Sequence, residues 1–213
     1  MNEKSRLKYI IPGLVFYIVI PFLYLLLGDF PDRTVLKELI SFLTIGAFFL
    51  MLGQFYLTRI NKVTLKGQKM SKVINLHKVI GYIFIPILIL HPFLIVVPRF
   101  FEAGVEPMEA FTTILTTFSS KGIIMGIIAM VLMILLGITS ILRKKIQLKY
   151  TTWRIWHGLL SIAFVILATL HAVNLGRHTD TIMSVYMITM STIGILLLIR
   201  IYFLHPQVIG EKR

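Results

Sequence analysis

The chain has 213 residues, 57% of them hydrophobic, and a mean hydropathy of +0.86. Soluble domains are about 45–50% apolar, so the excess points to a membrane protein. There is no cysteine, which excludes disulfides, iron–sulfur clusters and thiolate chemistry, and the formal net charge of +13 fits either a nucleic-acid partner or the basic loops of a membrane protein.

A bilayer-spanning helix needs about 20 mostly apolar residues. Six stretches qualify: residues 10–27, 38–57, 78–97, 122–142, 153–173 and 182–204. The expected fold is an all-α membrane protein, a six-transmembrane-helix bundle forming one domain over residues 1–213. Lys4, Arg6 and Lys8 precede the first stretch as they would a signal peptide. That stretch is long, carries Pro12 and Pro21, and ends in LLLGDFPDR with no small-residue cleavage site, so it reads as a retained helix. The longest connection, residues 98–121, is expected to hold a short interfacial helix at 107–117.

Six spans put the N-terminus, the 59–75 loop, the 143–152 loop and the C-terminus on one side. That side carries 17 of the 22 lysines and arginines, with only Glu3 and Glu211 among the acids. Opposite lie Asp29, Asp32, Glu38, Glu102, Glu106, Glu109 and Asp180 against five basic residues. Lysine and arginine mark cytoplasmic loops, so both termini are expected in the cytoplasm of a multi-pass protein of the cell membrane. The basic charge is then a topology signal, and no nucleic-acid partner is expected.

Four histidines lie in two membrane-length apolar stretches around the third and fifth spans: His77 and His91 in LHKVIGYIFIPILILHPFLIVV, and His157 and His171 in WRIWHGLLSIAFVILATLHAV. In both, the second follows the first by fourteen positions, which is roughly 1400° of helix rotation and about 21 Å of rise. Each pair therefore shares one face near opposite ends of its helix. The third and fifth spans run in the same direction, so His77 is expected to face His157 near the cytoplasm and His91 to face His171 near the exterior. Paired imidazoles across helices hold low-spin haem iron, and the expectation is two stacked b-type haems with these four histidines as axial ligands. Neutral histidines bonding neighbouring helices are the plainer alternative. A single non-haem metal would need ligands that converge, which residues about 21 Å apart cannot do.

Gly81 and Gly158, beside His77 and His157, leave room for a flat macrocycle or for close helix approach. Gly122 and Gly126 read as a small-xxx-small packing pair. Pro86 and Pro92 interrupt the third helix. Candidate propionate partners are Lys78 and Arg154 at the inner level and Arg99 and Arg177 at the outer one, with snorkelling to the interface as the competing role. His178 reads as a solvated loop histidine, with a site above the outer pair as the alternative. His205 carries no expected role, Tyr9, Tyr150, Trp153 and Trp156 read as interfacial anchors, and Gln54 reads as interhelical glue.

On LHKVIGYIFIPILILHP and WRIWHGLLSIAFVILATLHA the chain resembles the third and fifth helices of the ferric reductase and NADPH oxidase transmembrane domain superfamily. The six-helix pattern extends the likeness to nearly the whole chain. It implies two haems b, the inner on His77 and His157 and the outer on His91 and His171, carrying electrons from a cytoplasmic flavin to an acceptor on the far side. Such proteins usually continue into FAD- and NADPH-binding domains, whereas this sequence ends nine residues after the last span and has no Gly-rich dinucleotide fingerprint. It is in this respect similar to stand-alone haem subunits such as the membrane partner of the periplasmic methionine sulfoxide reductase.

The resulting expectation is the haem-bearing subunit of a transmembrane oxidoreductase. FMN or FAD would come only through a cytoplasmic flavoprotein or flavin reductase, or as a diffusible donor. Ferric chelate, oxygen, a quinone or an extracytoplasmic partner protein would be the acceptor. Two alternatives stay open: a quinol-oxidising cytochrome b subunit of a larger complex, and a haem-free transporter whose histidines bind protons or metal.

Overall fold

The computed structural model describes residues 11–28, 34–64, 70–116, 120–176 and 178–200, with the side chains of 58–64, 70 and 115 left aside. Among the described residues the protein is all helical: α1 (Ile11–Leu27), α2 (Val35–Thr64), α3 (Met70–Ala103), α4 (Pro107–Thr116), α5 (Lys121–Ile141), α6 (Tyr150–Leu175) and α7 (Thr181–Ile199). Five of these, α2, α3, α5, α6 and α7, are long and apolar enough to cross a membrane. The shorter apolar α1 stands where the first of the six spans, residues 10–27, was expected.

Local chemistry accounts for the breaks. In α1 the helix widens to π-type over Val15–Val19, where the Ile20 N–H bonds back to the Val15 carbonyl. Pro21 follows directly; its ring crowds the preceding turn and it has no N–H to offer, and a widened turn relieves both. Gly104 ends α3 in the left-handed region at φ 65°, its N–H meeting the Phe100 carbonyl at 3.1 Å. This is the αL stop that glycine adopts without a Cβ penalty. The chain then folds back as α4, whose Phe111 stacks on Phe93 of α3 with ring centres 4.7 Å apart. At the start of α7 the Asp180 carboxylate accepts from the Met183 N–H at 2.7 Å, an N-cap.

Pro86, Pro92 and Pro98 all lie inside α3, which runs unbroken for 34 residues. The expected interruption is therefore absent: a bundle can take up the lost backbone bonds without ending the helix. The helix also begins earlier than the apolar pattern indicated, so His77 stands a full two turns inside it.

Two tight hairpins, α2 with α3 and α5 with α6, form the frame, and α7 closes it by packing on both α2 and α6. The core is densest along α2, where Ala47, Phe49, Met51 and Leu52 are almost fully buried, against Met183, Met187 and Leu198 of α7. Gly194 lets α7 approach α2 closely, since a Cβ there would lie 3.0 Å from the Cβ of Phe55. Nearby the Tyr56 hydroxyl donates to the Met190 carbonyl at 2.8 Å. Gln54 is buried in the same helix. Outside, the spans present exposed Leu, Ile and Val, the surface that lipid covers and water would not. At one end, Lys37 at the start of α2 pairs with Glu102 at the end of α3, and the Thr34 hydroxyl donates to the same carboxylate.

Candidate functional site

α3 and α6 bring the four histidines together as two pairs. The rings of His77 and His157 have centres 6.5 Å apart, and those of His91 and His171 have centres 6.3 Å apart. Like meets like, which requires parallel helices and keeps the pairs about 21 Å apart along the axis. A metal–imidazole nitrogen bond is about 2 Å, so two imidazoles on opposite sides of one ion have ring centres about 6 Å apart. Both pairs fit that geometry. Among the described residues no three His, Asp or Glu side chains converge as a metal cluster. Each level thus brings two imidazoles, and no third such side chain, together.

The backbones of α3 and α6 pack mainly on other helices, α3 on α2 and α6 on α5 and α7, so the histidines project across an interval. α5 provides the wall behind the α6 histidines. His171 Nδ1 lies 2.9 Å from the Gly122 carbonyl oxygen. A carbonyl only accepts, so Nδ1 carries the proton and Nε2 is left as the lone-pair nitrogen, the arrangement that orients a metal-binding imidazole. Gly126 lies directly beneath the same ring: a Cβ there would be 2.6 Å from His171 Cε1. Gly122 meets Leu175 as closely, so the packing role expected of these glycines holds and a contact with the ring is added to it. At the other level His157 Nδ1 is 3.5 Å from the Ser140 hydroxyl, and the Trp153 ring stacks on the imidazole at 5.0 Å and 24°. His91 Nδ1 is shielded from solvent without a hydrogen-bond partner among the described residues.

Other expected residues fall differently. Lys78 and Arg99 are exposed, Arg154 is half-buried, and Arg177, Tyr9 and His205 lie outside the described residues. Gly158 is buried, whereas a Cβ at Gly81 would meet only the tip of Ile85 at 4.0 Å. Tyr150 and Trp156 are exposed as anchors would be; Trp153 is partly buried against His157. His178 is not a solvated loop residue: it is 3% exposed, with Nε2 3.5 Å from the Glu38 carboxylate. The fold brings the loop after α6 over the start of α2, a contact no local pattern announces. Ser140, the Gly122 carbonyl and Trp153 are the site contacts that the spacing of histidines did not reveal.

An all-helical bundle with several membrane-length helices and two tiers of paired histidines defines a multi-pass membrane protein. More particularly, the chain belongs to the ferric reductase-like transmembrane family: the family described as "Ferric reductase like transmembrane component" matches residues 43–168. An uncharacterized protein of Archaeoglobus fulgidus is 36% identical over 160 residues, 75% of this chain and 87% of that protein. No solved structure matches. The family match takes in His77, His91 and His157 and stops three residues before His171. Membership implies haem-mediated transmembrane electron transfer in general.

Proposed function

We propose that His77 with His157 and His91 with His171 are the axial ligands of two haems b. In this reading the protein carries electrons from a cytoplasmic flavin or flavoprotein to an extracytoplasmic acceptor: a ferric chelate, oxygen or a partner protein. The carrying observation is the pair of like histidine contacts, 6.5 and 6.3 Å between ring centres, on two parallel helices. The haems, when bound, would supply reversible one-electron carriers with both axial positions filled, which suits transfer more than oxygen binding at iron.

The protein's own residues do the rest. The Gly122 carbonyl holds His171 in one tautomer. Trp153 fixes the ring plane of His157. Exposed apolar faces keep the pairs at membrane depth, where water is excluded. On the proposed cytoplasmic side Arg143, Lys144, Lys145 and Lys149 form a basic turn that would attract an acidic flavoprotein or a flavin phosphate. A single domain over residues 1–213 with both termini inside is part of the same proposal, as is a separate electron donor.

Absorbance of the purified protein tests the assignment. Wild type should show a b-type Soret band that falls by about half in the His91→Ala/His171→Ala double variant, because two of the four ligands are gone. A blank spectrum after haem supplementation, or one unchanged by the double substitution, would sink it.

A further inference from the structure

Two hydrogen-bond donors beside the His77/His157 pair find no acceptor among the described residues. Arg143 Nε and Trp153 Nε1 are both shielded from solvent and lack a partner among the described residues. Leaving a buried donor unsatisfied is costly, more so for a charged group, so two in one place imply an acceptor that completes them. They are in one place. The Arg143 guanidinium carbon lies 5.1 Å from the Trp153 ring centre and 4.6 Å from that of Tyr150.

The surroundings say what kind of acceptor fits. Tyr150, Trp153 and His157 occupy positions i, i+3 and i+7 of α6, one helical face. Their rings form a column with steps of 6.1 and 5.0 Å, each tilted by 24°. Arg143 comes from the turn after α5 and lies against the first two rings. Cation–π contact satisfies the face of a guanidinium and leaves its N–H edge available. A fixed guanidinium edge next to an indole N–H selects an anionic oxygen. Neighbouring Lys144 and Lys145 add positive potential, and no acidic side chain lies between 121 and 176 to compete.

We propose that Arg143 and Trp153 form an anion-binding corner that takes a carboxylate or phosphate oxygen next to the His77/His157 pair. Two sources share that chemistry: a propionate of the inner haem, which rests on the functional reading above, and the phosphate of a flavin mononucleotide docking from the basic side. The corner would stand beside Lys78 and Arg154 as a further inner anion partner; Lys78 is exposed and Arg154 half-buried.

Arg143→Gln, Arg143→Lys and Trp153→Phe distinguish the sources when the full-length protein is purified and three quantities are measured: haem content, haem potentials, and the affinities for FMN and riboflavin. A propionate partner predicts that Arg143→Gln lowers the potential of one haem, because a cation favouring the reduced state is lost. The ferric-to-ferrous ratio at fixed potential should rise about tenfold, equal to about 59 mV for one electron. Arg143→Lys should restore part of the shift, and Trp153→Phe should move it the same way by less. A flavin-phosphate partner predicts unchanged potentials and a wild-type preference for FMN over riboflavin that drops about tenfold in Arg143→Gln. Unchanged potentials together with unchanged flavin preference, in both Arg143→Gln and Trp153→Phe, would overturn the corner. A chain that takes up no haem would defeat the functional reading, and the FMN-to-riboflavin ratio would then decide the corner alone.

Discussion

His171 carries the most explicit geometry of the four histidines. Its Nδ1 donates to the Gly122 carbonyl at 2.9 Å, and Gly126 supports the ring from below. Gly126→Ala would force a methyl into the imidazole, and overpacking of this kind costs about 1–3 kcal/mol. Haem retention at the outer level should therefore weaken about tenfold or more, read as loss of roughly one of two haems by pyridine haemochrome. Gly81→Ala, whose Cβ meets nothing nearer than Ile85 at 4.0 Å, should leave both haems in place. Retention of both haems in Gly126→Ala would show that the ring does not sit as described. The histidines were legible in the sequence because an ionisable side chain in an apolar run is conspicuous and a separation of fourteen has a definite meaning on a helix. Their supports were not. A backbone carbonyl has no letter in the sequence, Ser140 resembles any other helix serine, and Trp153 carries the same composition signal as an interfacial anchor.

At the scale of elements, the hydropathy pattern located the five long helices among the described residues, because lipid-facing and core-facing residues are both apolar, and it overestimated only α1. It could not give the helix ends: α2 and α3 extend well beyond their apolar stretches, to Thr64 and back to Met70. Nor could it show that α3 continues through three prolines, since that depends on neighbours. Contacts between helices were the least legible. α7 packs on α2 at Gly194, where an added Cβ would lie 3.0 Å from Phe55 Cβ, an atom fixed to the backbone and unable to swing away. Gly194→Ala should lower thermal stability by about 1–3 kcal/mol, seen as an earlier melting transition in detergent. Gly137→Ala, with its nearest contact at 3.9 Å, should melt as wild type does. The buried Thr169 and Ser191 hydroxyls, 2.7 Å apart across α6 and α7, are a second contact of this kind.

For the whole molecule the proposed orientation rests on 17 of 22 basic residues lying on one side. The cysteine-free sequence allows a clean check. In intact cells Glu106→Cys, just before α4, should react with a membrane-impermeant maleimide, and Lys145→Cys, in the turn after α5, should react only after permeabilisation. The reverse labelling would invert the direction of transfer. That direction, through two tiers of paired histidines, is the central claim. It is tested most directly in sealed vesicles with the 143–152 turn facing out, supplied with NADH and a flavin reductase outside and a ferric chelate trapped inside. The account predicts haem reduction followed by formation of ferrous chelate inside, with chelate reduction abolished in His91→Ala/His171→Ala while the remaining haem still reduces. Ferrous chelate appearing at the wild-type rate in that variant would contradict it.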